Sequence, residues 1–222
     1  VSVFGLGSMG FGVACSALAG GHHVFGFDID AQRQSNFIAE GGQTETMENA
    51  VAKSNVVVLV VLNGNQTEDL LFGVRGVVPQ MQAGSVVVSC ATLAPESAQR
   101  LADKCKDYRV LYLDAPISGG PVKASEGALT IMASGPKAAF DAARPLLNSI
   151  SENVYNLGEE AGSGSAMKSV NQLLAGIHIA AMGEALTFGI SQGIDAARVV
   201  EIVSKCTGTS WMFENRGAHV VD

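Results

Sequence analysis

Over the first 150 residues, short continuous apolar runs alternate with longer stretches whose apolar residues recur every three or four positions. The runs 1–4, 23–27, 55–62, 85–89 and 109–113 are rich in Val and Phe and end on Gly, Asn or Asp, so they predict strands. Several are apolar at every position, as parallel strands covered on both faces require. Between them, 8–19, 31–40, 67–71 and 95–104 carry helical spacing, with Pro95 at a first helical position and Asp30 as the cap of its helix. Two further strands, 129–133 and 154–157, flank a helix over 137–150. Strand–helix alternation of this kind implies an α/β doubly wound sheet of the Rossmann type.

Beyond Gly158 the pattern changes. No further strand is predicted. A long Ala-rich helix is expected over 162–193, broken in composition by Gly176, Gly183 and Gly189, and then a second over 195–206 capped by Asp195. The division expected is a dinucleotide-binding domain over 1–159 and the beginning of an all-α C-terminal domain over 160–222.

Composition narrows the function classes. Apolar residues make up 47% of the 222, enough for a buried core, while charged residues are 16% and the net charge is −7. An acidic chain this poor in charge disfavours a phosphate-backbone partner, so no nucleic acid is expected. The longest purely aliphatic run, Val56 to Leu62, is far short of a membrane span, and no signal peptide is seen, so no membrane is expected and the location expected is cytoplasmic. The chain opens without Met, which suggests residues before Val1. Cys15, Cys90, Cys105 and Cys206 form no Cys-x-x-Cys pair and no His cluster accompanies them. Buried free thiols in a reducing compartment are expected, and no metal.

Three stretches carry chemistry. The first is GLGSMG, Gly5 to Gly10, after a strand and before a helix. Gly5 permits a tight turn, Gly7 allows close backbone approach to a pyrophosphate, and Gly10 lets the helix pack on the sheet, with Leu6, Ser8 and Met9 completing the loop. Free N–H groups at the helix start then face the phosphates. Asp28 lies 18 residues after Gly10, at the end of HVFGFD, where a carboxylate binds ribose hydroxyls and repels a 2′-phosphate. That favours NAD over NADP, although Arg33 is close enough in sequence to assist a 2′-phosphate. A small-residue turn without ligand is the alternative.

The second is DAPISGGP, Asp114 to Pro121, directly after a strand, where ligands gather in such sheets. Ser118 offers a hydroxyl, and Gly119 and Gly120 let backbone N–H groups face an anion. An ordinary Gly-Pro turn would look the same. The third is GSGSAMKSVNQLLAG, Gly162 to Gly176, in which Lys168, Asn171 and Gln172 share one helix face. A lone helical lysine is usually solvated, and the two loops in the same chain are what raise Lys168 above that reading. His22 and His23 read as surface residues, His178 as core or interface and Glu184 as structural, while Trp211 and Phe213 suit pocket and core equally.

In that order and at those separations, the three stretches resemble the β-hydroxyacid dehydrogenases, a family that includes 3-hydroxyisobutyrate dehydrogenase and 6-phosphogluconate dehydrogenase. MGFGVA, LLAGIHIAAMGEAL and TSWMFENR are similar to its L-threonate dehydrogenase subgroup, which oxidises a four-carbon sugar acid with NAD. The resemblance implies Lys168 as the catalytic acid/base, Ser118, Gly119 and Gly120 as the substrate-carboxylate loop, and Asn171 as a substrate amide. It also implies Thr92 in CATLAP as a cofactor contact, with Leu62 and Asn63 passing the nicotinamide ribose. The partners implied are a small hydroxy acid and further copies of the chain as a homo-oligomer. Family members continue for several more helices, which implies that this chain is part of a longer enzyme. The expected reaction is NAD-dependent oxidation of L-threonate or a related hydroxy acid. An NADPH-dependent glyoxylate or semialdehyde reductase is the alternative enzyme, and a non-catalytic nucleotide-binding relative the alternative class.

Overall fold

The computed structural model describes residues 1–221, and the chain divides into two compact units, Val1–Lys168 and Ser169–Asp222. In the first, five parallel strands, β1 (Ser2–Phe4), β2 (Phe25–Phe27), β3 (Val56–Leu59), β4 (Val86–Ser89) and β5 (Leu111–Asp114), line up in the order β2-β1-β3-β4-β5. A single parallel bridge from Phe25 to Gln43 extends the β2 edge. The all-valine stretches of β3 and β4 are buried throughout, the state their unbroken apolar character calls for. Chain order reverses between β1 and β3, and in open α/β sheets ligands bind outside the carboxyl ends of the strands at such a point.

The connecting helices cover both faces. α1 (Ser8–Ala19), α6 (Gly120–Ser125) and α7 (Lys137–Ile150) belong to the core that contains Val3, Val58, Val88 and Leu113. The opposite core, around Val57, Leu59, Val87 and Tyr112, takes α3 (Met47–Lys53), α4 (Gly64–Phe72) and α5 (Pro95–Asp107). α2 (Ala31–Ala39) follows β2 and is capped by Asp30, whose side chain accepts from Gln32 N–H. A second sheet holds β6 (Ile117–Ser118), β7 (Leu129–Ala133) and β8 (Ser151–Asn156), with β6 antiparallel and β8 parallel to β7.

α8 (Ser163–Ser191) begins in the first unit and runs through the second, followed by α9 (Ala196–Val203), capped by Asp195, and α10 (Trp211–Val221). Met182, Leu186, Val199 and Phe213 make the small core of the second unit. With a mean hydropathy of 1.6 over its most apolar window, α8 is by length and composition long and apolar enough to cross a membrane, although its Gly, Ser and Ala residues leave it without a long unbroken aliphatic run.

Several expectations need correcting. α3, β6, α6 and α10 were not predicted, because each is too short or too mixed to show a period, and β6 and α6 sit inside what reads as a Gly-Pro turn. His22 is at the surface but only partly exposed: its Nε2 lies 3.2 Å from Ser149 Oγ and 3.3 Å from the Pro145 carbonyl. Of the four thiols only Cys90 and Cys105 are buried. Cys15 is intermediate and Cys206 exposed, the latter because it falls beyond α9 rather than inside it.

Candidate active site

The glycine loop joins β1 to α1. Gly5 has φ +89, and a Cβ there would lie 2.3 Å from the Val60 carbonyl oxygen on the neighbouring chain after β3. At Gly10 a Cβ would lie 1.8 Å from the Gly5 carbonyl oxygen, so the first turn of α1 closes directly on the loop. Gly7 is different: its φ is −65, and an added Cβ would meet only Arg33 Nη1, at 3.6 Å. Gly7 is also the N-cap of α1 and supplies no capping side chain. The loop therefore presents a helix start with no capping side chain of its own and open space over one glycine, which suits a phosphate group. The residues present fit a dinucleotide.

Asp28 follows β2. Its Oδ2 accepts from the Leu6 backbone N–H at 2.6 Å and its Oδ1 from the Asp30 N–H at 2.9 Å, so the carboxylate is tied to the loop it flanks. Arg33 reaches both acids, with Nη1 at 3.6 Å from Asp28 Oδ2 and Nε at 3.4 Å from Asp30 Oδ2, while staying half exposed. Leu62 and Asn63 lie exposed after β3: the Leu62 N–H donates to Gln66 Oε1, and Asn63 caps α4 by accepting from Gln66 N–H. Thr92 is exposed in the turn between β4 and α5. Gly loop, Asn63, Thr92 and Ser118 thus all follow carboxyl ends of strands.

The Ser118 loop turns through two consecutive glycines with positive φ, Gly119 at +138 and Gly120 at +80. The conformation needs glycine twice over, since L side chains rarely adopt it. The following helix, α6, packs against α1 at Gly12, where a Cβ would come 2.8 Å from the Ser125 nitrogen. Ser16 Oγ–H donates to the Ala124 carbonyl at 2.8 Å. The helix after the glycine loop and the helix after the Ser118 loop are in this way clamped together.

Lys168 ends the first unit, on the second turn of α8. It is only 8% exposed, and its Nζ donates to the Ile117 carbonyl, the residue before Ser118, at 2.8 Å. Burial pulls its pKa below the ordinary lysine value, because the charged form loses water. The structure thus brings Lys168 to the Ser118 loop. Asn171 lies in the second unit, half-buried, donating from Nδ2 to Gln172 Oε1 at 3.2 Å. Phe213 is core and Trp211 is exposed. Among the described residues no group of His, Cys, Asp and Glu could hold a metal ion.

Sequence reasoning missed one residue. Asp114, fully buried at the end of β5, accepts at Oδ2 from the N–H groups of Gly162 (2.9 Å) and Ser165 (2.8 Å) and at Oδ1 from Ser165 Oγ–H (2.7 Å). Its only signal was a carboxylate closing an apolar strand. Burial raises its pKa against the opposing pull of those hydrogen bonds.

A model of the NAD binding domain of 6-phosphogluconate dehydrogenase matches residues 1–158, and one described as the NAD-binding domain of NADP-dependent 3-hydroxyisobutyrate dehydrogenase matches 162–222. The chain is 40% identical to L-threonate dehydrogenase of Cupriavidus necator, over 100% of this chain and 75% of that protein. It is 31% identical to 3-hydroxyisobutyrate dehydrogenase of Pseudomonas aeruginosa, over 95% of this chain and 71% of the relative. The crystal structure of 3-hydroxyisobutyrate dehydrogenase from Salmonella typhimurium superposes with a TM-score of 0.95 at 39% identity, covering 100% of this chain and 78% of that one.

Proposed function

The chain belongs to the β-hydroxyacid dehydrogenase family, and on that premise we propose that it oxidises L-threonate or a closely related hydroxy acid with NAD, with Lys168 as acid/base. The observation that carries the reading is the placement of a buried amine, Lys168 Nζ, on the carbonyl of Ile117 beside Ser118 and the paired glycines. A lysine is costly to bury without a purpose or a partner, and here the acceptor it meets among the described residues is a neutral carbonyl.

In this reading Gly5 to Gly10 hold the pyrophosphate, Asp28 the adenosine ribose, and Leu62, Asn63 and Thr92 the nicotinamide half. When bound, the nicotinamide supplies the acceptor for the hydride leaving the carbinol carbon. Ser118, Gly119 and Gly120 bind the substrate carboxylate and so fix the hydroxyl relative to the amine; Asn171 adds a polar contact. Neutral Lys168 Nζ takes the hydroxyl proton on oxidation and, once protonated, returns it to the carbonyl oxygen in reverse. Its lowered pKa brings it nearer the pH at which a base of this kind is effective. The dinucleotide domain is taken as 1–159 and the helical part as 160–222. A cytoplasmic homo-oligomer completes the proposal.

A second reading, NADPH-dependent reduction of glyoxylate or a semialdehyde, draws on Arg33, whose half-exposed guanidinium stands beside Asp28 and over Gly7. A non-catalytic nucleotide-binding role leaves the burial of Lys168 without a reason.

The test is a panel of L-threonate, 3-hydroxyisobutyrate, glycerate and glyoxylate against NAD(H) and NADP(H), run on wild type and Lys168→Ala. L-Threonate with NAD should give the highest kcat/KM, and Lys168→Ala should lower kcat by about 10²–10⁴ while leaving NAD affinity unchanged. Highest activity with NADPH and glyoxylate would favour the second reading, and near-wild-type turnover in the variant would remove Lys168 from its role.

A further inference from the structure

α8 starts on glycine. Gly162 stands at its N-cap position with φ +109, where a Cβ would come 3.0 Å from the Pro95 carbonyl oxygen and 3.1 Å from Gln99 Nε2. No residue with a capping side chain fits there, so the first N–H groups of the helix need partners from elsewhere. Ala166 N–H already bonds to the Gly162 carbonyl as the first helical link. Gly164 N–H donates to Ser134 Oγ at 3.0 Å. The N–H groups of Gly162 and Ser165 both go to Asp114 Oδ2, and Ser165 Oγ–H goes to Oδ1.

Asp114 is therefore the cap of a helix that begins nearly fifty residues later. It is itself held from the backbone: Asp114 N–H donates to the Ser134 carbonyl at 3.0 Å, and Ser134 N–H to the Asp114 carbonyl at 2.8 Å. Gly164 seals the contact, because a Cβ there would sit 2.4 Å from the Met132 carbonyl oxygen and 2.8 Å from that of Asp114. The strand end and the helix start then run in matched steps. Residue 114 takes residue 165, and three residues later along both segments residue 117 takes residue 168. A carboxylate at a helix N-terminus also has the favourable sign toward the helix dipole.

We propose that Asp114 is a positioning residue for the reaction: by capping α8 through Gly162 and Ser165 it sets the register in which Lys168 Nζ meets the Ile117 carbonyl beside the substrate loop. The inference rests on the acid/base role proposed for Lys168. Asp114 need not touch substrate or cofactor. A misplacement of about 1 Å at a reacting group costs roughly 10²-fold in rate, so a helix that slips or frays by part of a turn loses most of its turnover.

The test uses the full chain with L-threonate and NAD, and compares Asp114→Ala, Asp114→Asn, Ser165→Ala and Lys168→Ala. Asp114→Ala is expected to lower kcat at least about tenfold with the Kd for NAD unchanged. Asp114→Asn keeps an oxygen for the two N–H groups and should recover most of that loss. Ser165→Ala, which removes the Oγ–H donor to Asp114 and leaves the backbone N–H donor in place, gives a smaller loss and guards against failure of Asp114→Ala to fold. Independently of turnover, the pH at which Lys168 becomes reactive to an amine-acylating reagent, read by peptide mass spectrometry, should shift in Asp114→Ala and return in Asp114→Asn. Unchanged kcat and unchanged Lys168 reactivity in folded Asp114→Ala, or in Ser165→Ala if that variant does not fold, overturn the proposal. Near-wild-type turnover in Lys168→Ala marks failure of the underlying catalytic reading instead, and the reactivity shift then still decides whether Asp114 places the amine.

Discussion

Asp28 Oδ2 accepts the backbone N–H of Leu6 at 2.6 Å, so the acid that ends the second strand is also a brace for the glycine loop. The same oxygen has Arg33 Nη1 at 3.6 Å. One carboxylate thus braces the glycine loop and holds the nearby guanidinium to which the second reading assigns a 2′-phosphate. Asp28→Asn retains an acceptor for Leu6 while removing the charge, and should move the ratio of kcat/KM for NADP over NAD upward by about tenfold. In that background Arg33→Ala should undo the gain. A ratio that stays constant in both variants would mean that neither side chain discriminates.

Gly7 and Gly10 belong to one motif but have separable duties. Gly10→Ala drives a Cβ into the Gly5 carbonyl and should destabilise the fold by about 1–3 kcal/mol or more, seen as a lower denaturation midpoint. Gly7→Ala meets only the flexible end of Arg33 and should cost less than about 1 kcal/mol, yet lose dinucleotide affinity because the methyl fills the approach to the loop. Titration calorimetry on a normally stable Gly7→Ala protein decides it. Undiminished binding would show that the open face over Gly7 is not where the phosphates lie.

Ser118 precedes the two positive-φ glycines and is partly exposed. On the proposed carboxylate-binding role, Ser118→Ala removes one hydrogen bond to a charged group, worth about 1.5–3 kcal/mol. The expected result is a KM for the hydroxy acid raised roughly tenfold or more with a smaller change in kcat. An equal fall in kcat at constant KM would place the hydroxyl at the reacting carbon rather than on the carboxylate.

Lys168 has a pKa below its ordinary value of 10.5 through burial. The folded chain therefore binds that proton more weakly than the unfolded chain. The cost of holding the amine charged is full below the folded pKa and disappears as the pH rises from there toward 10.5. Lys168→Met has no such cost. The melting temperature of the variant relative to wild type should be highest near about pH 6 and should decline as the pH is raised toward about 10, while activity is lost throughout. A difference independent of pH would show that the buried amine carries no titration penalty.

The helix over Lys137–Ile150 and the strand Leu129–Ala133 were legible to the residue, and so was Ser8–Ala19, because Gly, Pro or Ser punctuates the chain at or next to their ends. The strand at Leu111–Asp114 was read two residues early, since Val110 extends its apolar run, while Arg109 in fact turns with φ +58. The small elements Ile117–Ser118 and Gly120–Ser125 were invisible inside DAPISGGP, where glycine and proline signal a turn and say nothing of the β7 strand that pairs with it.

By itself the sequence determined the five strands of the main sheet and the longer helices, where the glycine loop falls, and that Lys168 is set among small residues, because these follow from side-chain period, backbone freedom and local spacing. Only the tertiary structure decided that Asp114 caps the helix at Gly162, that Asp28 braces Leu6, and that the amine of Lys168 ends on the carbonyl of Ile117. Those are hydrogen bonds made by backbone groups left over after local structure has formed. Their partners are chosen by which chain ends the sheet gathers at one edge, and no period along the chain encodes that choice.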